Sequence, residues 1–250
     1  MNILSKNAAI AFVGMLLLSA CNKNTDKPSQ PGAPEKLRVK TETGADALNG
    51  WQAVYIYDSN NRLIKETEII WGTDTAKITE YFYAGDKLTI KISKNNNTRT
   101  IIYKLNPQGY ISEHTGSDGI TYSYTYNSNG YIIKTKNNQP DSYERNYYYN
   151  ASNGLLDSTR ATIGGIWNNS QYYTYDMNRI NTLGDINFGK SFYGSHNLRP
   201  FTHYEYKYIE SNVIKTQTID YLFVYDEKGR IASKSYESAG QKLTTHYTFY

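Results

Sequence analysis

One cysteine, Cys21, is all that the 250 residues contain, so no disulfide can form within the chain. Phenylalanine is scarce at seven and tryptophan at three, and half of the six prolines fall between Pro28 and Pro34. After the first twenty residues no apolar run approaches the roughly 20 residues of a spanning helix, which excludes a helical multispan membrane protein. Neither sign of charge dominates. Twenty-seven basic and 23 acidic side chains leave +4, with no basic cluster, and give no reason to expect nucleic acid as a partner. Against these shortages stands tyrosine, with 26 residues. A polar chain of mean hydropathy -0.66 that is this rich in aromatic rings does not have the composition of a disordered one.

The first twenty residues have the pattern of an export signal. Lys6 precedes the uncharged run Ala8 to Leu18, and small residues follow at Ser19 and Ala20. The tetrad Leu18-Ser19-Ala20-Cys21 resembles a bacterial lipoprotein signal. That resemblance implies cleavage before Cys21 and a thioether-linked diacylglycerol on its thiol, with a third acyl chain (a palmitate, for instance) on the new amino group. Two or three chains anchor a protein stably, whereas one does not. The alternative is a plain secretory peptide with an incidental cysteine. Residues 21–50 then read as a lipidated cysteine and a polar, Pro-rich tether. Within it Leu37 to Lys40 has the pattern of a short strand, and Thr41 to Gly50 that of a loop.

From Trp51 to Tyr250 one unit recurs. Tyr-x-Tyr leads into Asp or Asn, a few small polar residues follow, and a β-branched residue or Leu restarts the alternation. Tyr55-Ile56-Tyr57-Asp58 with Arg62-Leu63, and Tyr122-Ser123-Tyr124-Thr125-Tyr126-Asn127 with Gly130-Tyr131-Ile132, are clear copies. The residues just before each turn are 57, 83, 105, 126, 149, 175, 208 and 225. Tyr247 to Tyr250 forms half of a ninth copy with no return arm. Period-2 alternation between turn signals predicts an all-β fold of meandering antiparallel hairpins, roughly 16 to 18 strands. A sheet that long must curl strongly or close into a barrel to manage its edges. A membrane-spanning barrel also alternates, but charged and amide residues interrupt both faces in Lys87 to Lys94 and Thr98 to Lys104.

The stretch between Ile180 and Thr202 breaks the repeat. As a binding rim, the 185–201 loop offers Phe192, Tyr193, His196 and Arg199, which combine stacking surface, a titratable donor and a cationic fork. As a plug under the sheet, it would bury Phe188, Phe192, Leu198 and Phe201 instead. The two readings are compatible.

The lipobox, the Pro-rich tether and the repeated Tyr-x-Tyr-Asx-x-x-Gly-x-Ile together resemble a Bacteroidetes lipoprotein family of unknown function with a porin-like fold. Its repeats are distantly similar to the YD repeats of RHS-type proteins. Tyr57-Asp58, Tyr175-Asp176 and Tyr225-Asp226 match the YD unit, while Tyr126-Asn127 and Tyr149-Asn150 carry Asn. Gly194 to Pro200 resembles a loop that precedes the late strands in that family. The resemblance implies a cell-envelope location, lipid-anchored to the outer membrane on its periplasmic or surface face, and brings no catalytic residues.

Enzyme signatures are absent: no Gly-rich nucleotide loop, no G-x-S-x-G, no H-E-x-x-H. His196 and His203 do not make a metal motif, and no cofactor is expected. The sequence thus reads as a non-catalytic lipoprotein that binds a glycan, peptide or envelope component. Its alternatives are a purely structural envelope protein and, less favoured, an enzyme acting on glycans.

Overall fold

The computed structural model describes residues 38–45, 50–73, 76–184, 188–195, 197–238 and 240–250. Cys21, the signal segment and the tether up to residue 37 therefore lie outside the described residues, as does His196.

One antiparallel sheet accounts for the whole fold. Its strands are β1 Val39–Ala45, β2 Gly50–Tyr57, β3 Leu63–Ile70, β4 Ala76–Ala84, β5 Lys87–Lys94 and β6 Asn97–Leu105. They continue as β7 Ile111–Thr115, β8 Thr121–Tyr126, β9 Ile132–Asn137, β10 Tyr143–Tyr149, β11 Leu156–Ile163 and β12 Ile166–Tyr175. After the long loop come β13 Phe201–Glu210, β14 Val213–Asp220, β15 Leu222–Tyr225, β16 Ile231–Ser238 and β17 Gln241–Phe249. Each strand from β2 to β14 pairs with the next, and β15, β16 and β17 do likewise. The sequence expectation of an all-β meander curled into a barrel is met.

Two junctions close the ring. β1 inserts between β17 and β2, pairing Glu42 with Tyr247 on one side and with Ala53 on the other. This supplies the return arm missing from the ninth repeat: the last hairpin is split between the two ends of the chain. Tyr250 N–H donates to Arg38 O at 3.0 Å, as Asp58 N–H does to Arg62 O at 2.9 Å in an intact copy. Thr41 to Ala45, expected as loop, is thus strand, and the β domain begins by Val39 rather than at Trp51.

The second junction reconciles an odd strand count with an antiparallel ring, which needs an even number of staves. Only Tyr221 separates β14 from β15, too little for a hairpin turn. Its N–H donates to Thr202 O at 2.8 Å, continuing the β13–β14 ladder, and β15 then pairs with β16. β14 and β15 are therefore two halves of one bent stave, which leaves sixteen.

The repeat unit explains the turns at one end of the barrel. The Asx side-chain oxygen accepts two main-chain N–H groups, as Asp58 does from Asn60 and Arg62, Asn127 from Asn129 and Tyr131, and Asp226 from Lys228 and Arg230. The position needs a side-chain carbonyl, so Asn and Asp exchange freely. A register shift precedes these turns at Tyr57, Leu105, Tyr126, Tyr149, Tyr175 and Tyr225. Tyr208 does not belong to the series. Its turn, Glu210 to Val213, lies at the opposite rim, so the copy assigned to Tyr204–Tyr208 is out of phase.

Tyrosine faces inward. In four of the units the ring before the turn reaches back to the preceding repeat: Tyr57 Oη donates to Val39 O, Tyr83 to Leu63 O, Tyr149 to Ile132 O and Tyr175 to Leu156 O, at 2.7–3.0 Å, whereas the buried hydroxyls of Tyr126 and Tyr225 make no such bond. Phenylalanine would fill the same space without this stitch, which accounts for the preference for tyrosine. Beside the stitches runs a collar of fully buried aliphatic side chains, Val39, Leu63, Leu88, Ile111, Ile132 and Ile231.

Candidate functional site: a plugged, tyrosine-lined lumen

The loop between β12 and β13 crosses the mouth of the barrel at the Tyr-Asx rim. It is tied to five separate places on that rim. Leu63 N–H donates to Gly189 O (3.1 Å), Ser195 N–H to Gly130 O (2.6 Å) and Ile231 N–H to Thr182 Oγ1 (2.8 Å). Leu156 N–H donates to Asn197 Oδ1 (2.8 Å), and Lys190 Nζ pairs with Glu66 Oε2 (3.3 Å). Gly189 and Gly194 have φ of +67° and +100°, and a Cβ at either would overlap Tyr57 or Tyr126, so both docking points demand glycine.

The plug reading of this loop describes what the residues do. Phe192 is 2% exposed and packs on Tyr81, Tyr83 and Tyr193; Phe188 meets Tyr55 edge-on at 5.1 Å. Tyr193 is half-buried against the same core, and Phe201 is buried on β13 with Tyr173 and Tyr221. Leu198 departs from the expected set. It is 60% exposed, and its carbonyl accepts from Asn181 N–H at 2.9 Å. Arg199 donates from Nη1 to Arg179 O at 3.0 Å. The loop thus turns Phe192 and Tyr193 into the barrel and ties Arg199 to main chain. Phe192→Ala is expected to cost about 3–5 kcal/mol and Leu198→Ala almost nothing, a contrast read by thermal melts of the two variants.

Beneath the plug lies a charged cluster. Tyr55 Oη donates to Glu42 Oε2 (2.8 Å) and Tyr81 Oη to Glu66 Oε2 (3.1 Å). Burial raises the Glu42 carboxyl, with Tyr55 and Lys234 pulling the other way; burial likewise lowers Lys234, with Glu42 opposing it. These groups brace the plug against the β1–β3 wall.

The opposite wall carries a different chemistry. Tyr143, Arg145 and Tyr147 alternate inward on β10, facing Thr159 and Ala161 on β11, then Asn169 and Gln171 on β12 and Tyr206 and Tyr208 on β13. Arg145 Nη1 donates to Gln171 Oε1 (2.6 Å) and Thr159 Oγ1 (3.2 Å), Nη2 to Asn169 Oδ1 (2.9 Å) and Nε to Tyr143 Oη (2.6 Å). Every partner is neutral. The alternation Tyr143-x-Arg145-x-Tyr147 is the sequence signal that could have singled out this arginine.

Solved structures with this architecture are on hand. A porin-like protein from Bacteroides uniformis superposes with a TM-score of 0.59 at 15% identity, covering 85% of this chain and 98% of that one. Another from Bacteroides vulgatus gives 0.59 at 13% identity, covering 86% and 99%. The fold is porin-like. A TcdB2-TccC3 chain also superposes, at a TM-score of 0.33 and 14% identity over 10% of its length, and carries no argument. No family model and no curated protein matches the chain.

The porin-like fold here is polar on the outside. Outward positions include Lys65 opposite Glu80, Lys87 opposite Lys104, and Lys104 opposite Glu113. Lys134 pairs with Glu144 and Lys207 with Glu205, both at 3.0 Å. Apolar side chains such as Ile56, Phe82 and Ile102 are interleaved among these charges. No helix among the described residues is long and apolar enough to cross a membrane, and no group of three or more His, Cys, Asp or Glu is placed to hold a metal. Of the histidines, His203 contacts Asp220 on the outer face, and His114 is packed between Tyr103 and Tyr122.

Proposed function

We propose that the protein is a non-catalytic, lipid-anchored cell-envelope receptor whose barrel is a cup rather than a pore. The observation that carries this reading is the distribution of polarity. A spanning barrel shows lipid a continuous apolar band and keeps its polar residues inside. This barrel interleaves charged with apolar residues on its outer face, so that no continuous apolar band forms, and lines its inside mainly with aromatic rings, with one mouth stoppered by the plug. On this reading the ligand enters from the opposite rim, toward which Tyr122, Tyr143, Tyr206 and Tyr208 keep partial exposure. Tyrosine edges and amides suit a hydroxylated or amide-bearing ligand, a glycan or peptide. The anchor follows from Cys21 as the only thiol at the one position a lipobox requires.

Two measurements test the reading. Cys21→Ala is expected to move the protein from the membrane fraction to the soluble one, and intact mass of the parent to show diacyl or triacyl adducts at Cys21. A mature N-terminus elsewhere without lipid would remove the anchor. A glycan and peptide array should give signal for the parent; silence on both would return the protein to a structural envelope role.

A further inference from the structure

We propose that Arg145 is the receptor for a carboxylate on an acidic sugar, a site that rests on the cup reading and specifies its ligand. Among the described residues no carboxylate lies within ion-pair distance of this guanidinium. A positive charge on an inner wall with only neutral partners is costly, and an apolar residue of similar size would be the more stable choice. The arrangement is nonetheless built, with four of the five guanidinium hydrogens held by Tyr143, Thr159, Gln171 and Asn169. Tyr173 Oη and Thr159 Oγ1 both donate to Gln171 Oε1, which fixes the amide with its oxygen toward the guanidinium.

Two donors are left over, and they are neighbours. One hydrogen on Nη2 has no acceptor. Tyr143 Oη accepts from Nε and so has its own proton to give away. A carboxylate that reaches both can take one charge-assisted hydrogen bond from the free Nη2–H and one from the Tyr143 hydroxyl. The tyrosines nearby stay protonated donors: burial, and then neighbouring phenols, raise Tyr173 well past its usual range and Tyr204 to about 12.

The way in favours a sugar over a peptide side chain. Tyr204, Tyr206 and Tyr208 stack ring on ring along β13, with centroids 6.5 and 5.1 Å apart and planes within 9° and 14°. Tyr204 is buried, and Tyr206 and Tyr208 lie ring on ring with partial exposure, so the track toward Arg145 offers phenol hydroxyls. Asn169, Gln171 and Thr159 are buried behind it and hold Arg145 in place. Such a surface hydrogen-bonds a polyhydroxylated ring and offers no apolar pocket for an amino-acid side chain.

The test is calorimetric titration of the full-length chain in mild detergent with trigalacturonate, its neutral methyl ester, and a tetrapeptide with a free C-terminus. The acid is expected to bind at least tenfold more tightly than the ester. Asn169→Asp should abolish that preference, because it places an internal carboxylate on Nη2 with almost no change of shape. Arg145→Gln should do the same, and Tyr143→Phe should weaken the acid several-fold. Equal binding of acid and ester, or a preference that survives Asn169→Asp, overturns the Arg145 site while leaving the cup intact. Binding of the peptide alone overturns the sugar assignment. If none of the three binds, both the site and the glycan reading of the cup fall.

Discussion

Titrated upward from neutral pH, the protein is expected to hold its fold to about pH 10 and then unfold cooperatively within roughly one further unit. The cause is the inward tyrosine face. Tyr55, Tyr81, Tyr204 and Tyr247 are only 3–7% exposed. Burial foremost, and then neighbouring carboxylate or phenol oxygens, raises all four above the ordinary phenol value. In the unfolded chain these groups lose their protons near pH 10, whereas in the folded one they retain them. The unfolded state thus binds fewer protons above pH 10, and stability falls as pH rises; below pH 10 the effect vanishes because both states are protonated. Each such tyrosine contributes about 1.4 kcal/mol of destabilisation per pH unit, so four amount to roughly 5–6 kcal/mol at pH 11. That is comparable with the whole stability of a typical domain, about 5–15 kcal/mol. Tyr126, Tyr149, Tyr173 and Tyr175 shift in the same direction and add to it. Far-ultraviolet circular dichroism and tyrosinate absorbance, followed together, should change in one step. A gradual tyrosinate rise through pH 10 with the β signal intact would show that the lumen phenols titrate as free ones do, and would contradict the buried stitches.

Much of this architecture is legible in the sequence, because the repeat couples local chemistry to position. Asx at each turn, tyrosine two residues apart before it and an aliphatic residue after it each have one structural task, and all three tasks recur at the same rim. What escaped the pattern did so for identifiable reasons. β1 has glutamate and glycine at its inward positions, Glu42 and Gly44, where other strands have tyrosine, so its alternation carries no hydrophobic signal. Tyr204, Tyr206 and Tyr208 imitate the repeat but sit on a strand running toward the other rim, since alternation reports a face and not a direction. Leu198 has the composition of plug filling, while its exposure is set by the tertiary path of the loop, which composition does not report. Arg145 carries no motif of its own in the sequence. Its importance comes from Asn169 and Gln171, more than twenty residues away, which only the ladder through β11 brings to it.

Removing β1 is expected to destroy the barrel, although the strand is seven residues of low hydrophobicity. A chain beginning at Trp51 loses both ladders that β1 makes, the fully buried Val39, the carbonyl that Tyr57 stitches to, and the Glu42 carboxylate that Tyr55 donates to. The ring cannot repair itself. β17 and β2 each run antiparallel to β1 and therefore parallel to one another, so fifteen staves have no antiparallel way to close. Two long edges with unpaired N–H and C=O groups then face a gap of about 9–10 Å, twice the usual strand spacing, and become templates for other chains. Size-exclusion chromatography should show a chain starting at Leu37 as a monomer and one starting at Trp51 as aggregate, with the loss of cooperative melting. A synthetic peptide covering residues 37–47, added during refolding, should restore part of the monomer by strand addition. A monomeric chain from Trp51 with an unchanged melting temperature would mean that the sheet is held by its curl and plug alone, and that closure through β1 is incidental.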